Sequence, residues 1–284
     1  MITCNLMGGL GNQLFQIFTT ISLSIKTTNS FVFSDTKLLD NGKRHTYWDT
    51  FLFRLKPFLR PFFRKMTILK ERGFEYNNIP LHDLMGADTC LYGYFQSYKY
   101  FDDTFPTIYR MLHIEEQKRA LMTSENKMVN NIVNRLGNTI SIHFRMGDYK
   151  TVSHVYPILA FSYYEKAIRL IIEKTEKSDF NMIYFCEDAD LMDVLEIINS
   201  LKEEFRECNF IRCPEHLEDW EQMLLMSCCS HNIIANSSFS WWGAYLNTGN
   251  KNQIVCYPER WFQDEAGHNT RDLCPKEWFP LHFS

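Results

Sequence analysis

Residues 2–34 read ITCNLMGGLGNQLFQIFTTISLSIKTTNSFVFS, and the pattern of this stretch decides the fold. The apolar residues 2–7 lead directly into the glycine-rich residues 8–11, and apolar residues then recur at helical spacing to about Lys26. A second apolar run follows at residues 31–34, so the pattern predicts a strand, a tight turn, a helix and a second strand. Units of this kind pair their two strands in parallel within one sheet.

The second half of the chain restarts this alternation. Residues 113–138 are polar and charged, which indicates the join between two domains of residues 1–137 and 138–284. The alternation in both halves predicts an α/β chain with two doubly wound sheets and a cleft between them. Beyond the join, strands are predicted at 139–146, 182–186, 209–212, 232–235 and 253–257, and helices at 159–175, 190–205, 219–229 and from about Ser240 onward.

Composition excludes several classes of protein. The 284 residues are 45% hydrophobic and 23% charged with a formal net charge of −4, which excludes a disordered chain and argues against a nucleic-acid partner. None of the nine cysteines forms a Cys-x-x-Cys pair, so we expect no zinc site and a reducing compartment. No apolar run approaches the length of about 18 residues that a membrane span needs. Because the first motif begins at Met7, we also expect no leader and a cytoplasmic protein.

Residues 51–70 hold six basic residues and five phenylalanines without any acid. The pattern favours a solvated helix face that is interrupted by Pro57 and Pro61. The alternative is a peripheral contact with a membrane surface or an acceptor, which a basic aromatic stretch also provides.

The turn GGLGNQ at residues 8–13 is a candidate anion site, because glycines let backbone N–H groups approach a phosphate at a helix N-terminus. A P-loop is excluded because no Gly-Lys-Ser/Thr follows, and the dinucleotide fingerprint lacks its third glycine at Leu14. Asp35, near the end of the second strand, keeps a nicotinamide-dependent dehydrogenase open as an alternative. A plain tight turn is the other alternative.

The string HFRMGDY at residues 143–149 ends a predicted strand, and strand alternation puts His143 and Arg145 on one face. A guanidinium at the carboxyl end of a strand suits a pyrophosphate, because it is always charged and binds two oxygens at once. Asp148 is expected to orient Arg145 or to act as a base, and Gly147 indicates a special backbone position. The alternative is a charged cluster at the surface.

Three acids, Glu187, Asp188 and Asp190, follow the next predicted strand. The spacing of Asp188 and Asp190 matches that of metal-binding pairs, but Asp190 is expected to cap the helix that follows. Glu187 and Asp188 are better placed to accept hydrogen bonds from a base or a ribose.

The string ANSSFSWWG at residues 235–243 leads from an apolar strand through a hydroxyl-rich turn into an aromatic helix. Ser237, Ser238 and the N–H groups at the start of that helix predict a second anion site. Trp241 and Trp242 are expected to pack the helix against the sheet.

Taken together, these strings resemble the α-1,2-fucosyltransferases of glycosyltransferase family 11. The resemblance runs the length of the chain and is most specific in the long string near residue 240. The matching strings are GGLGNQLFQ at residues 8–16, GYFQ at 93–96, HFRMGDY at 143–149, HNIIANSSFSWWGAYL at 231–246 and CPKEW at 274–278.

The resemblance implies a GT-B-type fold, in which two Rossmann-like domains face a central cleft, the first on the acceptor side and the second binding the donor. It implies inverting transfer of L-fucose from GDP-L-fucose to the 2-hydroxyl of a terminal galactose on a glycan, without a metal or other cofactor. Arg145 would then stabilise the β-phosphate, and Asp148 is the candidate base. The donor-binding residues expected from the strings and the resemblance are Gly8, Gly9, Asn12, His143, Arg145, Glu187, Asp188, Asn236, Ser237, Ser238 and Phe239.

Two positions depart from the family pattern. Met146 stands where the family commonly has a second arginine, and Gln222, next to Glu221, stands where many members carry an aspartate. The first departure removes a cation on the acceptor or phosphate side, and because of the second the resemblance does not carry a guanine contact over to this helix.

Two other functions stay open on the residues alone. A nicotinamide-dependent oxidoreductase would use the glycine turn and Asp35. A non-catalytic glycan-binding protein would stack sugars on Trp241 and Trp242.

Overall fold

The computed structural model describes residues 1–61, 66–123 and 138–283, and the chain forms two compact units. The first unit comprises Met1–Gln117 and His268–Pro275, and the second comprises Lys118–Gly267 and Lys276–Ser284. The predicted domain boundary at residue 137 lies outside the described residues, so that boundary stays a prediction.

The first unit is built on short parallel strands and one long helix. Its strands are β1 (Ile2–Cys4), β2 (Phe33–Ser34), β3 (Leu38–Leu39), β4 (Arg44–His45), β5 (Leu59–Arg60), β6 (Thr67–Lys70) and β7 (Thr89–Tyr92). Its helices are α1 (Leu10–Thr27), α2 (Leu81–Leu84), α3 (Phe105–Met111) and the first part of α4 (Ile114–Met122). Strands β1, β7 and β6 form a parallel sheet in that order, β2 pairs with β5 in parallel, and β3 pairs with β4 antiparallel. A parallel bridge between Ile2 and Phe31 connects β1 to the segment that enters β2.

Helix α1 confirms the predicted order of strand, turn, helix and strand at the start of the chain. Its apolar residues, among them Leu14, Phe18 and Ile21, recur at helical spacing and are fully buried. The helix ends at Thr27, and the C-cap residue Thr28, which has a left-handed backbone, donates its N–H to the carbonyl of Ile25.

The interpretation of residues 51–70 as a solvated helix face is wrong. The structure has a 3₁₀ turn at Phe53–Phe58 followed by β5 and β6, and residues 62–65 lie outside the described residues. Phe51 and Leu55 are fully buried and contribute to the core of the first unit, whereas Phe53 and Ile68 are exposed.

The second unit contains a six-stranded sheet in which every neighbouring pair is parallel. The strands of this sheet are β8 (Thr139–His143), β9 (Asn181–Phe185), β10 (Asn209–Arg212), β11 (His231–Ile233), β12 (Val255–Pro258) and β13 (Phe279–Leu281). The helices of the unit are the last part of α4, α5 (Phe161–Thr175), α6 (Leu191–Glu204), α7 (Asp219–Met226) and α8 (Ser238–Tyr245). The order across the sheet is β10-β9-β8-β11-β12-β13, which is the 3-2-1-4-5-6 order of Rossmann-type sheets. The predicted α/β class with parallel sheets is confirmed.

The core of the second unit explains why its strands are nearly continuous apolar runs. All five residues of β8 are buried, because strands in the middle of a parallel sheet are covered on both faces. Ile142 on β8, Met182 on β9 and Ile168 on α5 belong to one cluster of fully buried side chains. Trp241 and Trp242 are also fully buried, as predicted, so neither presents a face on which a sugar can stack.

The structure differs from the prediction at the ends of elements. Strand β8 stops at His143 rather than at residue 146, so Arg145 lies in the loop that follows. The last strand, β13, was not predicted, because Phe279–Leu281 is too short to show a pattern. None of the described helices is long and apolar enough to cross a membrane.

Candidate functional site

The middle of the second sheet brings two of the sequence strings together. Strands β8 and β11 are neighbours, with His231 opposite Ile140 and Ile233 opposite Ile142. The strand order reverses between these two strands, and ligands of open α/β sheets bind outside the carboxyl ends of the strands at that point. The loop that carries Arg145 and the turn that carries Ser237 both leave from this edge.

Arg145 is held by charged partners on two sides. One of its terminal nitrogens donates to Asp148 Oδ1 at 2.7 Å, and the other donates to Glu187 Oε1. Burial lowers the pKa of the guanidinium, but the carboxylates of Glu187 and Asp148 outweigh that effect, so its pKa is raised. The site therefore contains a permanent positive charge at the carboxyl end of β8.

His143 is a buried, neutral imidazole next to that charge. Burial, and secondly the charge of Arg145, lowers the pKa of His143 to about 3. Its ring centroid lies 5.5 Å from that of Phe239, and its Nδ1 has no hydrogen-bond partner among the residues that the structure describes. A buried nitrogen of this kind is suited to a hydrogen bond with a ligand.

The acids that follow β9 have three different environments. Glu187 pairs with Arg145, whereas Asp188 pairs with Arg212, the last residue of β10, at 2.5 Å. Asp190 stands at the N-cap position of α6, but its side chain makes no capping bond.

The predicted capping role of the Asp190 carboxylate is therefore wrong. Its Oδ2 accepts the N–H of Gly147 at 2.6 Å, and its Oδ1 lies 3.5 Å from Lys150 Nζ. Tertiary structure brings the loop after β8 within reach, so the carboxylate holds that loop instead of its own helix. A Cβ on Gly147 would lie 2.8 Å from Glu187 Oε2, the end of a flexible side chain that would have to shift, whereas the backbone of Gly147 does not have the positive φ that a special backbone position would show.

The serine turn after β11 begins helix α8. Ser237 is the N-cap residue, and its Oγ accepts the N–H of Phe239 at 3.3 Å. Asn236 is fully buried, and its Nδ2 donates to the carbonyls of Pro157 at 3.0 Å and Trp261 at 3.2 Å. The turn thus places Ser238 in the first position of helix α8, and the side chain of Asn236 fixes the backbone of the turn.

Two residues of this site were not singled out from the sequence. Tyr149 donates its hydroxyl to the carbonyl of Asn236 at 2.9 Å, and its ring lies 5.3 Å from the guanidinium carbon of Arg145. Arg212 ends β10 beside Asp188. The rule that site residues collect at the carboxyl ends of parallel strands would have predicted Arg212, whereas no sequence signal indicated the contact between Tyr149 and Asn236.

Gly8, Gly9 and Asn12 belong to the first unit, and the other predicted site residues belong to the second. Gly8 has a φ of +77°, and a Cβ there would lie 2.5 Å from Asn12 Nδ2, so only glycine fits. The N–H of Gly8 donates to Asp40 Oδ2 at 2.9 Å, which shows that this turn binds a carboxylate. Asn12 Oδ1 accepts a hydrogen bond from Gln96 Nε2 at 2.7 Å.

The described residues offer no cluster of metal ligands. Within residues 1–61, 66–123 and 138–283, no three His, Cys, Asp or Glu side chains are grouped so that they could hold a metal ion. The absence of a metal requirement stays a prediction, as does the assignment of donor contacts to individual residues.

The similarity of this chain to known proteins extends over nearly its whole length. The family described as Glycosyl transferase family 11 matches residues 1–282. The O-antigen biosynthesis glycosyltransferase WbnK of Escherichia coli is 30% identical over 318 aligned positions, which cover 99% of this chain and 100% of the relative. The alpha-1,2-colitosyltransferase of Escherichia coli is 27% identical over 304 positions, with 98% of each chain covered.

Among solved structures, the ADP-heptose LPS heptosyltransferase II of E. coli is similar to part of this chain. The match covers 51% of this chain and 38% of the heptosyltransferase, at 14% identity and a TM-score of 0.33.

Proposed function

The chain belongs to glycosyltransferase family 11, and from that premise we propose that it transfers L-fucose from GDP-L-fucose to the 2-hydroxyl of a terminal galactose. The broader activity, transfer of a sugar in glycan biosynthesis, is that of the family. The donor, the acceptor and the roles of single residues belong to the proposal.

One observation carries the proposal: Arg145 and the serine turn leave the same edge of the sheet at its switch point. Tyr149 joins the two segments through its bond to Asn236, and the rings of His143 and Phe239 are in contact. A fixed guanidinium beside a helix start is suited to a diphosphate.

The reaction we propose needs charge stabilisation at the leaving group. The galactose 2-hydroxyl oxygen attacks C1 of fucose while the bond from C1 to the β-phosphate oxygen breaks, so negative charge grows on GDP. Arg145, Ser238 and the N–H groups at the start of α8 are positioned to stabilise that charge. The proton of the hydroxyl passes to a base, and our candidate is Asp148.

The nucleoside would bind at the carboxyl ends of β8, β9 and β10. His143 is neutral there, with Nδ1 available to a ligand, and Glu187 and Asp188 are hydrogen-bond acceptors for a ribose or a base. In Rossmann-type sheets an acid after the second strand commonly binds ribose hydroxyls, which supports this assignment.

Colitose is the competing donor sugar, because one relative is named as a transferase of it. Colitose is L-fucose without the 3-hydroxyl, so a phosphate site alone does not separate the two. We propose fucose on the resemblance of the sequence strings. The other relative is named for O-antigen biosynthesis, which supports a surface polysaccharide as the source of the galactose acceptor.

The proposal extends to where the enzyme works. We place the reaction in the cytoplasm, and the support is that none of the nine cysteines forms a Cys-x-x-Cys pair and that all nine are free thiols. Contact of residues 51–70 with a membrane surface stays a prediction.

The first test is nucleotide binding, measured as thermal stabilisation by GDP, UDP and NAD with EDTA present. Ligand at a 100-fold excess over Kd stabilises a protein by about 2.7 kcal/mol, which is a rise of several degrees. We expect that rise with GDP and little change with the other two. A rise with NAD alone would contradict the proposal and favour the oxidoreductase.

The second test separates the donor sugars. GDP-fucose and GDP-colitose are supplied in equal concentration with a β-galactoside acceptor, and the product linkage is read by NMR. We expect an α-1,2-linked fucoside. Exclusive use of GDP-colitose would keep the reaction type but reject fucose as the donor sugar.

A further inference from the structure

Tyr149 contacts both halves of the proposed phosphate site with one side chain. Its ring lies 5.3 Å from the guanidinium carbon of Arg145, which is within the range of a cation–π interaction. Its hydroxyl donates to the carbonyl of Asn236 at 2.9 Å, directly before Ser237. The loop after β8 and the turn after β11 are therefore joined through this tyrosine.

The surroundings of Tyr149 hold its ring in place. The ring of Tyr156 stacks on it with centroids 4.3 Å apart and planes inclined by 17°, and Tyr156 in turn contacts Phe262 at 5.2 Å. Burial raises the pKa of the Tyr149 phenol, so its hydroxyl keeps the proton that it donates to Asn236. The orientation of the Tyr149 ring is thus fixed by Tyr156, which stacks on one face of it, and by the hydrogen bond of its hydroxyl to Asn236.

The contact with Tyr149 differs in kind from the other contacts of Arg145. Asp148 and Glu187 accept from the N–H groups of the guanidinium, and a bound phosphate would compete for those same N–H groups. Both carboxylate side chains are more than half exposed, so they are free to move when a ligand binds. The guanidinium carbon lies over the ring of Tyr149, and this cation–π contact persists while the N–H groups of the guanidinium change partners.

We propose that Tyr149 is a positioning residue for sugar transfer: its ring orients Arg145 toward the leaving phosphate, and its hydroxyl sets the distance between Arg145 and the serine turn. The inference rests on the proposed function, because it assumes that Arg145 acts on the leaving group. Tyr149 touches Arg145 and the backbone of Asn236, and it acts through them.

The test compares Tyr149→Phe, which keeps the ring, with Tyr149→Leu, which removes it. A misplaced catalytic group costs about a hundredfold in rate, so we expect kcat to fall about 30- to 100-fold in Tyr149→Leu and less than about tenfold in Tyr149→Phe. KM for GDP-fucose should change less than threefold in both. Tyr109→Phe is the matched control, because it removes a hydroxyl that bonds Glu115 in the first unit, and its kcat should not change.

A double variant asks whether Tyr149 acts through Arg145. In the Arg145→Lys background the ring no longer has a planar cation to orient, so Tyr149→Leu should lower kcat there by less than about threefold. Equal losses in the two backgrounds would overturn the inference, as would an unchanged kcat in folded Tyr149→Leu. If Tyr149→Leu does not fold, Tyr149→Phe is measured in the same two backgrounds instead. Its smaller loss of kcat should also vanish in the Arg145→Lys background.

Failure of the proposed function gives a different result. In that case the parent enzyme itself releases no GDP from GDP-fucose with the galactoside acceptor, and both conclusions fall together. An active parent with Tyr149 variants that behave like Tyr109→Phe rejects the positioning role alone.

Discussion

Arg145 is the residue on which the proposed chemistry depends most directly. Its planar guanidinium can hold two phosphate oxygens at once, whereas a lysine ammonium is a point charge on a flexible stem. The neighbouring carboxylates of Asp148 and Glu187 keep the guanidinium charged and close to the carboxyl end of β8. The charge is therefore in place before a ligand arrives.

Arg145→Lys should lower kcat by about 100- to 1,000-fold at saturating donor, which corresponds to the loss of about 2.7–4 kcal/mol of transition-state stabilisation. The measurement is the initial rate of GDP release with galactoside acceptor. Arg169→Lys is the control, because Arg169 pairs with Glu165 and Glu204 on the exposed side of α5. Turnover near that of the parent would remove Arg145 from the leaving-group role.

Asp148 is the candidate base, and it also accepts a hydrogen bond from Arg145. Replacing Asp148 therefore removes the base and also disturbs the position of the Arg145 guanidinium. Asp148→Asn should reduce kcat by about 100- to 10,000-fold, as expected for loss of a general base. The pH–rate profile distinguishes the two effects, because loss of a base removes the acidic limb while a disturbed Arg145 leaves it. If the Asp148→Asn enzyme keeps the acidic limb, the base is another group.

The buried carboxylate of Asp190 stabilises the loop after β8, which carries Arg145. It is 2% exposed and accepts the N–H of Gly147. Asp190→Ala leaves that donor without its partner, so the free energy of unfolding should fall by about 1–3 kcal/mol in urea denaturation. Asp193→Ala removes the more exposed partner of Lys150 and should cost about 1 kcal/mol or less.

At the scale of elements, helices α7 and α8 end at one buried cation. Lys118 is 8% exposed, and its ammonium donates to the carbonyls of Ser227 at 3.2 Å and Leu246 at 3.1 Å. These residues are the C-caps of α7 and α8, where carbonyl groups concentrate negative potential. Helix α8 begins with the serine turn, so this cation anchors the opposite end of an element of the site.

Lys118→Met keeps the apolar stem and removes the ammonium, which leaves both carbonyls without that donor. The free energy of unfolding should fall by about 1–3 kcal/mol. Lys166→Met is the matched control, because its ammonium bonds the carbonyl of His282 at the surface. Equal stability of the two variants would show that the cation does not hold the helix ends.

The strands β8 to β12 of the second unit were predictable as elements, since each is a short apolar run between helical stretches, whereas the three-residue β13 was not. Their ends were not, because hydrogen bonds with neighbouring strands decide where a strand stops. Thus β8 ends at His143, and the two residues that the sequence pattern placed on one face of a strand lie in a strand and in a loop. Cα partners such as His143 and Phe185 mark that end.

At the scale of the whole molecule, two buried histidines should make stability depend on pH. Burial lowers the pKa of His143 to about 3 and that of His231 to about 4, while the unfolded chain binds protons near the ordinary value of 6.5. Below that value the unfolded state takes up protons that the folded state does not, so stability falls as pH falls. Each histidine contributes a slope of about 1.4 kcal/mol per pH unit between its two pKa values.

Urea denaturation at pH 7 and pH 5 measures this slope. We expect the parent to be less stable at pH 5, and His143→Asn and His231→Asn each to lose less on acidification than the parent. His82→Asn is the control, because the side chain of His82 is exposed. A variant slope equal to that of the parent would show that the replaced histidine is not kept neutral by folding.

The sequence by itself determined the α/β class, the parallel pairing and the family, because apolar periodicity and short strings are local properties. It also located Arg145, His143 and the serine turn at strand ends. Only the tertiary structure decided that β8 lies beside β11, that Asp190 bonds Gly147 rather than its own helix, and that Tyr149 reaches Asn236. These contacts join residues that are 43 to 91 positions apart, and no local pattern records which distant group a side chain will meet once the sheet has formed.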